Sequence, residues 1–259
     1  MKKAILMKLQ TIIPPVLLHK VQNLHYLFIS QLILRWTSKP LEFSNTAAMV
    51  FSPHQDDETF GCGGMIARKR EEGVNVVVAF LTDGRGSYCT DPNIQNQIIK
   101  IRQEESLKAL DILGVPSSEI YFFNQQDGTL PDLVLDTKQQ LINDISELLT
   151  KYQPGEVYVP HCKDCHRDHE ATFYLVKEAI SQSGIQVKLL QYPIWAFWRA
   201  PLFILLKLKD IAFAYRLSIS SVQEKKKQAI ASYISQTQCL PHGFIKCFLG
   251  SEEIFFHSK

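Results

Sequence analysis

Hydrophobic and polar positions alternate along this chain in blocks of two kinds. Short, nearly continuous apolar runs, "AAMVF" (47–51), "NVVVAFL" (75–81), "EIYFF" (119–123), "EVYVP" (156–160) and "VKLLQYP" (187–193), read as buried strands. Between them lie longer stretches with apolar residues at helical spacing. "NQIIKIRQEESLKALDILG" carries Ile98, Ile99, Leu107, Leu110 and Leu113 and stops at Gly114, a natural C-cap. "LVLDTKQQLINDISELLTKY" stops near Pro154–Gly155, and "DHEATFYLVKEAIS" repeats the pattern. "TFGCGGMIARKREEG" reads as a helix entered through a glycine turn, where Gly61, Gly63 and Gly64 permit close approach to the sheet. Strands separated by helices require crossover connections. The expected fold is therefore α/β: a Rossmann-like, mostly parallel sheet covered by helices on both faces.

Two stretches break the rhythm. Residues 1–45 form a basic apolar arm, with Lys2, Lys3, Lys8, Lys20, Arg35 and Lys39 and no acid before Glu42. Its apolar runs fall short of the roughly 20 residues a membrane span needs. "MKKAILMK" is followed by Pro14–Pro15 and His19 without a small-residue cleavage site, unlike a signal peptide. The arm is expected to pack as a helix on the domain's own surface, with peripheral contact to a membrane as the alternative. Residues 193–220, apolar and aromatic with scattered cations, read as an insertion within a domain spanning 46–259; it would cover the site, contact a partner or touch lipid. The closing "SEEIFF" reads as an edge strand.

Composition narrows the class. Hydrophobic residues make up 46% and charged residues 21%, an ordinary globular balance. A net charge of +2 gives no ground for a nucleic-acid partner. Six cysteines in 259 residues do not make a disulfide scaffold; reduced thiols and a cytoplasmic setting, with or without membrane association, are expected.

The chemistry-bearing residues all follow strands. "PHQDDE" follows the first, Thr82–Asp83–Gly84 the second, Asp127–Gly128 the third and "HCKDCHRDH" the fourth, which is the rim where open α/β sheets bind ligands. Adjacent carboxylates at 56–58 repel one another unless a cation sits among them. His54, Asp57 and His169 form a donor set suited to Zn²⁺, with Fe²⁺ or Co²⁺ compatible, leaving a place for water. Asp56 would accept the water's proton, His166 would polarise a carbonyl or stabilise an oxyanion, and Asp168 would hold a histidine in orientation. Helix capping is the plainer reading of an isolated "HxxD". Trp195, Phe197 and Trp198, after the fifth strand, could stack on a sugar face or simply pack. No G-x-G-x-x-G is present, because Ile66 occupies its last position, and neither a Walker A sequence nor a G-x-S-x-G elbow occurs. "CKDCH" (162–166) matches c-type haem attachment, and Cys162 and Cys165 could also form a redox pair or half of a structural zinc site. Two unpaired loop thiols is the simpler reading. A haem or thiol redox protein using these cysteines is the rival function.

These motifs resemble the LmbE-like zinc-dependent de-N-acetylases, which include the N-acetylglucosaminyl-phosphatidylinositol de-N-acetylases (PIG-L). The family's PHPDDE stands here as Pro53-His54-Gln55-Asp56-Asp57-Glu58, with Gln55 for the usual proline, and its HxDH stands intact as His166-Arg167-Asp168-His169. Echoes occur in "LTDGRGS" (81–87), "RQEESLKALDILGV" (102–115), "YISQ" (233–236) and "SEEIFF" (251–256). The resemblance implies His54, Asp57 and His169 as metal ligands, Asp56 as general base and His166 at the oxyanion. It also implies that Arg102 reaches the substrate, an exposed salt bridge being the alternative there. The implied activity is metal-dependent removal of an acetyl group from an N-acetylated amino sugar or its conjugate.

Overall fold

The computed structural model describes residues 12–86 and 91–257; Lys2, Lys3 and Lys8 of the basic arm and Ser87 of "LTDGRGS" lie outside them. Eight strands form one sheet: β1 (Lys39–Pro40), β2 (Ala48–Ser52), β3 (Val76–Thr82), β4 (Ile120–Gln125), β5 (Glu156–Pro160), β6 (Lys188–Tyr192), β7 (Ala214–Ser218) and β8 (Glu252–His257). Their order is β1-β7-β8-β6-β5-β2-β3-β4, and only β8 runs antiparallel to its neighbours. The longer helices are α1 (Pro15–Leu32), α2 (Asp57–Glu71), α3 (Pro92–Leu113), α4 (Leu135–Tyr152), α5 (Arg167–Ser183) and α6 (Gln223–Ser232). The fold is the expected mixed α/β sheet.

Strand side chains alternate between faces, and the composition of β2 and β3 exploits it. Val50, Val76, Val78 and Phe80 enter one core, packed with residues of α2, α3 and α6. Met49, Phe51, Val77, Ala79 and Leu81 enter a second core under α4 and α5. Both faces being apolar explains why these strands read as continuous hydrophobic runs.

Two sequence expectations need correction. The glycines at 61, 63 and 64 lie within α2 rather than in a turn before it. They still serve close packing: a Cβ at Gly61 would collide with the Tyr192 ring. The C-terminal strand is not at an edge, because residues 214–218 and 39–40 extend the sheet beyond it. Of the two readings open for the aromatics after β6, packing holds for Phe197 and Trp198, which are 2% and 3% exposed and lie in the cores. Trp195 is half-buried, stacked on Phe244 at 4.2 Å between ring centres, with Arg199 3.7 Å above its ring.

Two buried ion pairs tie the layers together. Lys69 meets Glu156 at 2.9 Å and donates to the carbonyls of Ser44 and Thr46. Lys226 meets Glu253 at 2.7 Å, and Glu253 accepts the backbone N–H groups of Gly64 and Met65. The arm's helix α1 lies against the 196–214 segment, sharing a third core through Ile29, Ile33, Phe197, Leu206 and Ile211.

Candidate active site

Strand β2 has β3 and β4 on one side and β5 and β6 on the other, so the chain reverses its winding between β2 and β5. Loops leaving the C-terminal ends of those two strands diverge there and open a crevice. The loop after β2 delivers His54, Asp56 and Asp57; the loop after β5 delivers Asp164, His166, Asp168 and His169; the loop after β4 delivers Asp127. Asp56 takes φ of +133°, a costly backbone for a residue with a Cβ, at the start of α2. Its carbonyl accepts the N–H groups of Thr59 and Phe60, so the helix supports the turn.

The hydrogen bonds define each imidazole's role. His169 Nδ1 donates to Asp164 Oδ2 at 2.7 Å, which leaves the Nε2 lone pair free. His54 Nε2 faces Asp127 Oδ1 at 3.2 Å and Asp168 Oδ2 at 3.3 Å, which leaves the Nδ1 lone pair free. Both free nitrogens point to one carboxylate oxygen: Asp57 Oδ2 is 3.0 Å from His54 Nδ1 and 3.1 Å from His169 Nε2. Among the described residues, fully buried His169 Nε2 makes no hydrogen bond of good geometry, Asp57 Oδ2 being its polar neighbour. His166 joins the group, its ring 4.9 Å from that of His54 and 4.6 Å from that of His169. Ring nitrogens of all three come within 4.8 Å of one another. Two neutral nitrogens and one carboxylate oxygen, each oriented by a carboxylate or backbone partner behind it, suit a divalent transition metal.

Electrostatics point the same way. The carboxylates of Asp56, Asp57, Asp127, Asp164 and Asp168 crowd a buried volume in which Arg102 stands 3.6 Å from Asp56. Burial alone would raise the Asp57 carboxyl, but the His169 and His54 rings hold it well below the usual range. Burial opposes charging of the two rings, yet Asp127, Asp168 and Asp57 draw a proton onto His54, and Asp57 and Asp164 raise His169 to about 9. Protons and a metal ion compete for the same lone pairs, so a field that attracts one attracts the other. His166 behaves oppositely: burial and its two histidine neighbours lower it to about 2, leaving a neutral ring whose buried Nδ1 lacks a partner. Burial and the Asp57 charge push Asp56 up to about 8, with Arg102 and His54 pulling the other way. An acid poised near neutrality is able to take up and release a proton during turnover.

Each predicted residue thus reaches the crevice, with one change of character. Arg102 is not an exposed ion-pair partner: it is 6% exposed, donates to the carbonyls of Gly84 and Gln55, and stands 3.6 Å from Asp56 Oδ1. Gln55, in place of proline, is buried and donates to the Thr82 carbonyl, tying the motif to the end of β3. Asp168 accepts the N–H groups of Gly128 and Leu130 as well as facing His54. Neither Cys162 nor Cys165 is in a disulfide, and the histidine of their C-x-x-C-H run is committed to the cluster. Two residues escaped the sequence reading as site members. Asp164 is fully buried and accepts the backbone N–H groups of Ile194, Trp195 and Ala196 besides His169. Asp127 was placed on the rim without a role. A carboxylate five residues before His169 in a strand-end loop was the available signal for Asp164.

Comparison with known proteins agrees with this geometry. Residues 49–180 match the family model described as PIG-L, GlcNAc-PI de-N-acetylase. The chain belongs to this deacetylase family. It is 28% identical over 201 residues to diacetylchitobiose deacetylase of Thermococcus kodakarensis, covering 73% of this chain and 69% of that protein. It is 27% identical over 131 residues to a probable N-acetyl-alpha-D-glucosaminyl L-malate deacetylase 2 of Bacillus subtilis, covering 48% of this chain and 55% of that one. The N,N'-diacetylchitobiose deacetylase structure from Pyrococcus horikoshii superposes with a TM-score of 0.63 at 22% identity, over 88% of this chain and 91% of that one.

Proposed function

We propose that this chain is a zinc-dependent N-deacetylase that hydrolyses the acetamide of an N-acetylated amino sugar or a conjugate of one. His54 Nδ1, Asp57 Oδ2 and His169 Nε2 would hold the ion, with His166 beside it. The observation that carries the reading is the pair of imidazole lone pairs converging on one Asp57 oxygen, within a family of deacetylases. When bound, zinc supplies Lewis acidity toward the amide oxygen and lowers the pKa of coordinated water to about 7. Fe²⁺ or Co²⁺ would fit the same donors.

The chain's own residues supply the rest. Asp56 accepts the proton of the attacking water as the new C–O bond forms. The neutral His166 ring, with its unpartnered Nδ1, hydrogen-bonds the amide oxygen as negative charge gathers there. Asp56 then returns its proton to the nitrogen as the C–N bond breaks, releasing acetate and the free amine. Arg102 fixes the Asp56 turn through the Gln55 carbonyl and moderates the charge of Asp56. The names of the two curated relatives support an amino-sugar conjugate as substrate class. The few cysteines of a chain this long accord with a reducing, cytoplasmic setting.

The test is acetate release from a panel of N-acetylated amino-sugar conjugates by the zinc-loaded protein. Asp56→Asn keeps the side chain's shape but cannot take a proton, so kcat should fall about 10²–10⁴-fold with zinc retained. Undiminished turnover by that variant would remove Asp56 from the base role.

A further inference from the structure

Helix α1 carries apolar side chains on its outward face as well as on its inward one. Its inward face is mixed: Ile29 and Ile33 enter the core, while His25 Nδ1 donates to the Phe197 carbonyl at 2.8 Å, its Nε2 accepts the Leu202 N–H at 3.0 Å, and the Tyr26 hydroxyl donates to the Cys247 carbonyl. Its outward face is apolar. Leu17, Val21, Leu24 and Phe28, spaced four, three and four apart, form one stripe, flanked by Val16 and Leu27. Leu24 is 67% and Phe28 61% exposed. Past the end of the helix, Trp36 is 81% exposed between Arg35 and Lys39. The segment packed beneath α1 continues the character, exposing Phe203, Ile204 and Leu208 beside Lys207 and Lys209. A contiguous apolar stripe of this kind marks an interaction surface.

Charge selects the occupant. Across 12–41 and 200–213 the cations are Lys20, Arg35, Lys39, Lys207 and Lys209, and the one acid, Asp210, is paired with Lys163 at 2.8 Å. A second copy of this chain would bring cations against cations, whereas an anionic lipid surface offers complementary charge and an apolar interior. The stripe lies on the convex back of a helix rather than in a groove, and an isolated tryptophan flanked by cations matches the headgroup boundary. No helix among the described residues is long and apolar enough to cross a bilayer. We propose that the outward face of α1, with Trp36 and the 203–209 segment, binds peripherally to anionic membranes. The proposal is independent of the catalytic reading.

Flotation of the full-length protein with phosphatidylcholine vesicles, with and without phosphatidylglycerol, tests this. The protein should float with the anionic vesicles at least about tenfold more than with neutral ones, and raising salt should weaken the binding. Leu17→Glu/Leu24→Glu/Phe28→Glu alters only solvent-facing side chains and should abolish flotation while leaving turnover of a water-soluble substrate unchanged. Lipids brominated near the headgroup should quench the emission that distinguishes the parent protein from Trp36→Phe. Failure of the parent protein to float at low salt would overturn the proposal. So would equal flotation by the triple variant, or a dimer in solution that the triple variant dissolves in place of vesicle binding. Absence of deacetylase activity in the parent protein would count against the catalytic reading alone.

Discussion

Asp164 is the residue whose replacement should be most informative. Its Oδ1 accepts N–H groups from Ile194, Trp195 and Ala196 at 2.9–3.1 Å, and its Oδ2 accepts His169 Nδ1 at 2.7 Å. In Asp164→Asn the amide oxygen stays with the three backbone donors, so the NH₂ group must replace the oxygen facing His169. A donor then meets a donor unless the ring changes tautomer, and the changed tautomer places a hydrogen on Nε2, where the metal lone pair should be. Loss of such an orienting carboxylate weakens metal binding about 10–100-fold, or about 1.4–2.7 kcal/mol. Exchanging a charge-assisted bond for a mismatched one should also lower stability by about 1–3 kcal/mol. Zinc affinity would be measured against a competing chelator, and stability by urea denaturation of the metal-free protein. Asp132→Asn is the control: its ion pair with Arg167 is about 60% exposed on both sides, and such pairs contribute about 0–1 kcal/mol. Zinc affinity equal to that of the parent protein in Asp164→Asn would refute the reasoning, because it would show that the His169 tautomer is not set by this carboxylate.

Two further outcomes concern stability. Lys226→Met leaves Glu253 buried and uncompensated between α2 and α6, and should cost about 3–5 kcal/mol in chemical denaturation; Lys226→Met/Glu253→Gln should recover part of that loss. His161 is lowered from 6.5 to about 4 by burial, with Asp164 and Asp210 opposing, and its Nδ1 already accepts the Lys163 N–H. Its folded pKa lies below the unfolded one, so between these values the unfolded chain binds more protons and stability falls as pH falls from 6.5 towards 4. The difference from His161→Gln, which keeps an acceptor but does not titrate there, should reach roughly 3 kcal/mol at the acid end. Parallel pH profiles for the two proteins would contradict the assignment.

The sequence displayed the parallel sheet plainly, because β2, β3 and β5 are apolar on both faces and their helices carry regular spacing and caps such as Gly114. It also displayed the rim, because the segments holding His54, Asp57 and His169 each come after a strand. What it concealed depends on chain reversals that leave no local pattern. Asp164 acts on a residue five positions later only because the loop after β5 bends back, with Cys165 in a left-handed conformation at φ of +58°. Arg102 is assigned to the site only through the family resemblance, because its own helix leaves an exposed pair equally open; α3 turns it inward to the Gln55 carbonyl. The interior place of β8 follows from strands contributed by 193–220 and the N-terminal arm, whose composition suggested appendages. For Phe197 and Trp198 the sequence left sugar stacking and core packing both open, because large apolar area suits either.

The most direct measurement is a zinc-edge anomalous difference map from crystals of the zinc-loaded protein. The account predicts a single peak within bonding distance of His54 Nδ1, Asp57 Oδ2 and His169 Nε2, with Asp164 still on His169 Nδ1. A peak bound instead through His54 Nε2 with Asp127 and Asp168, or no peak between the two imidazoles, would contradict it.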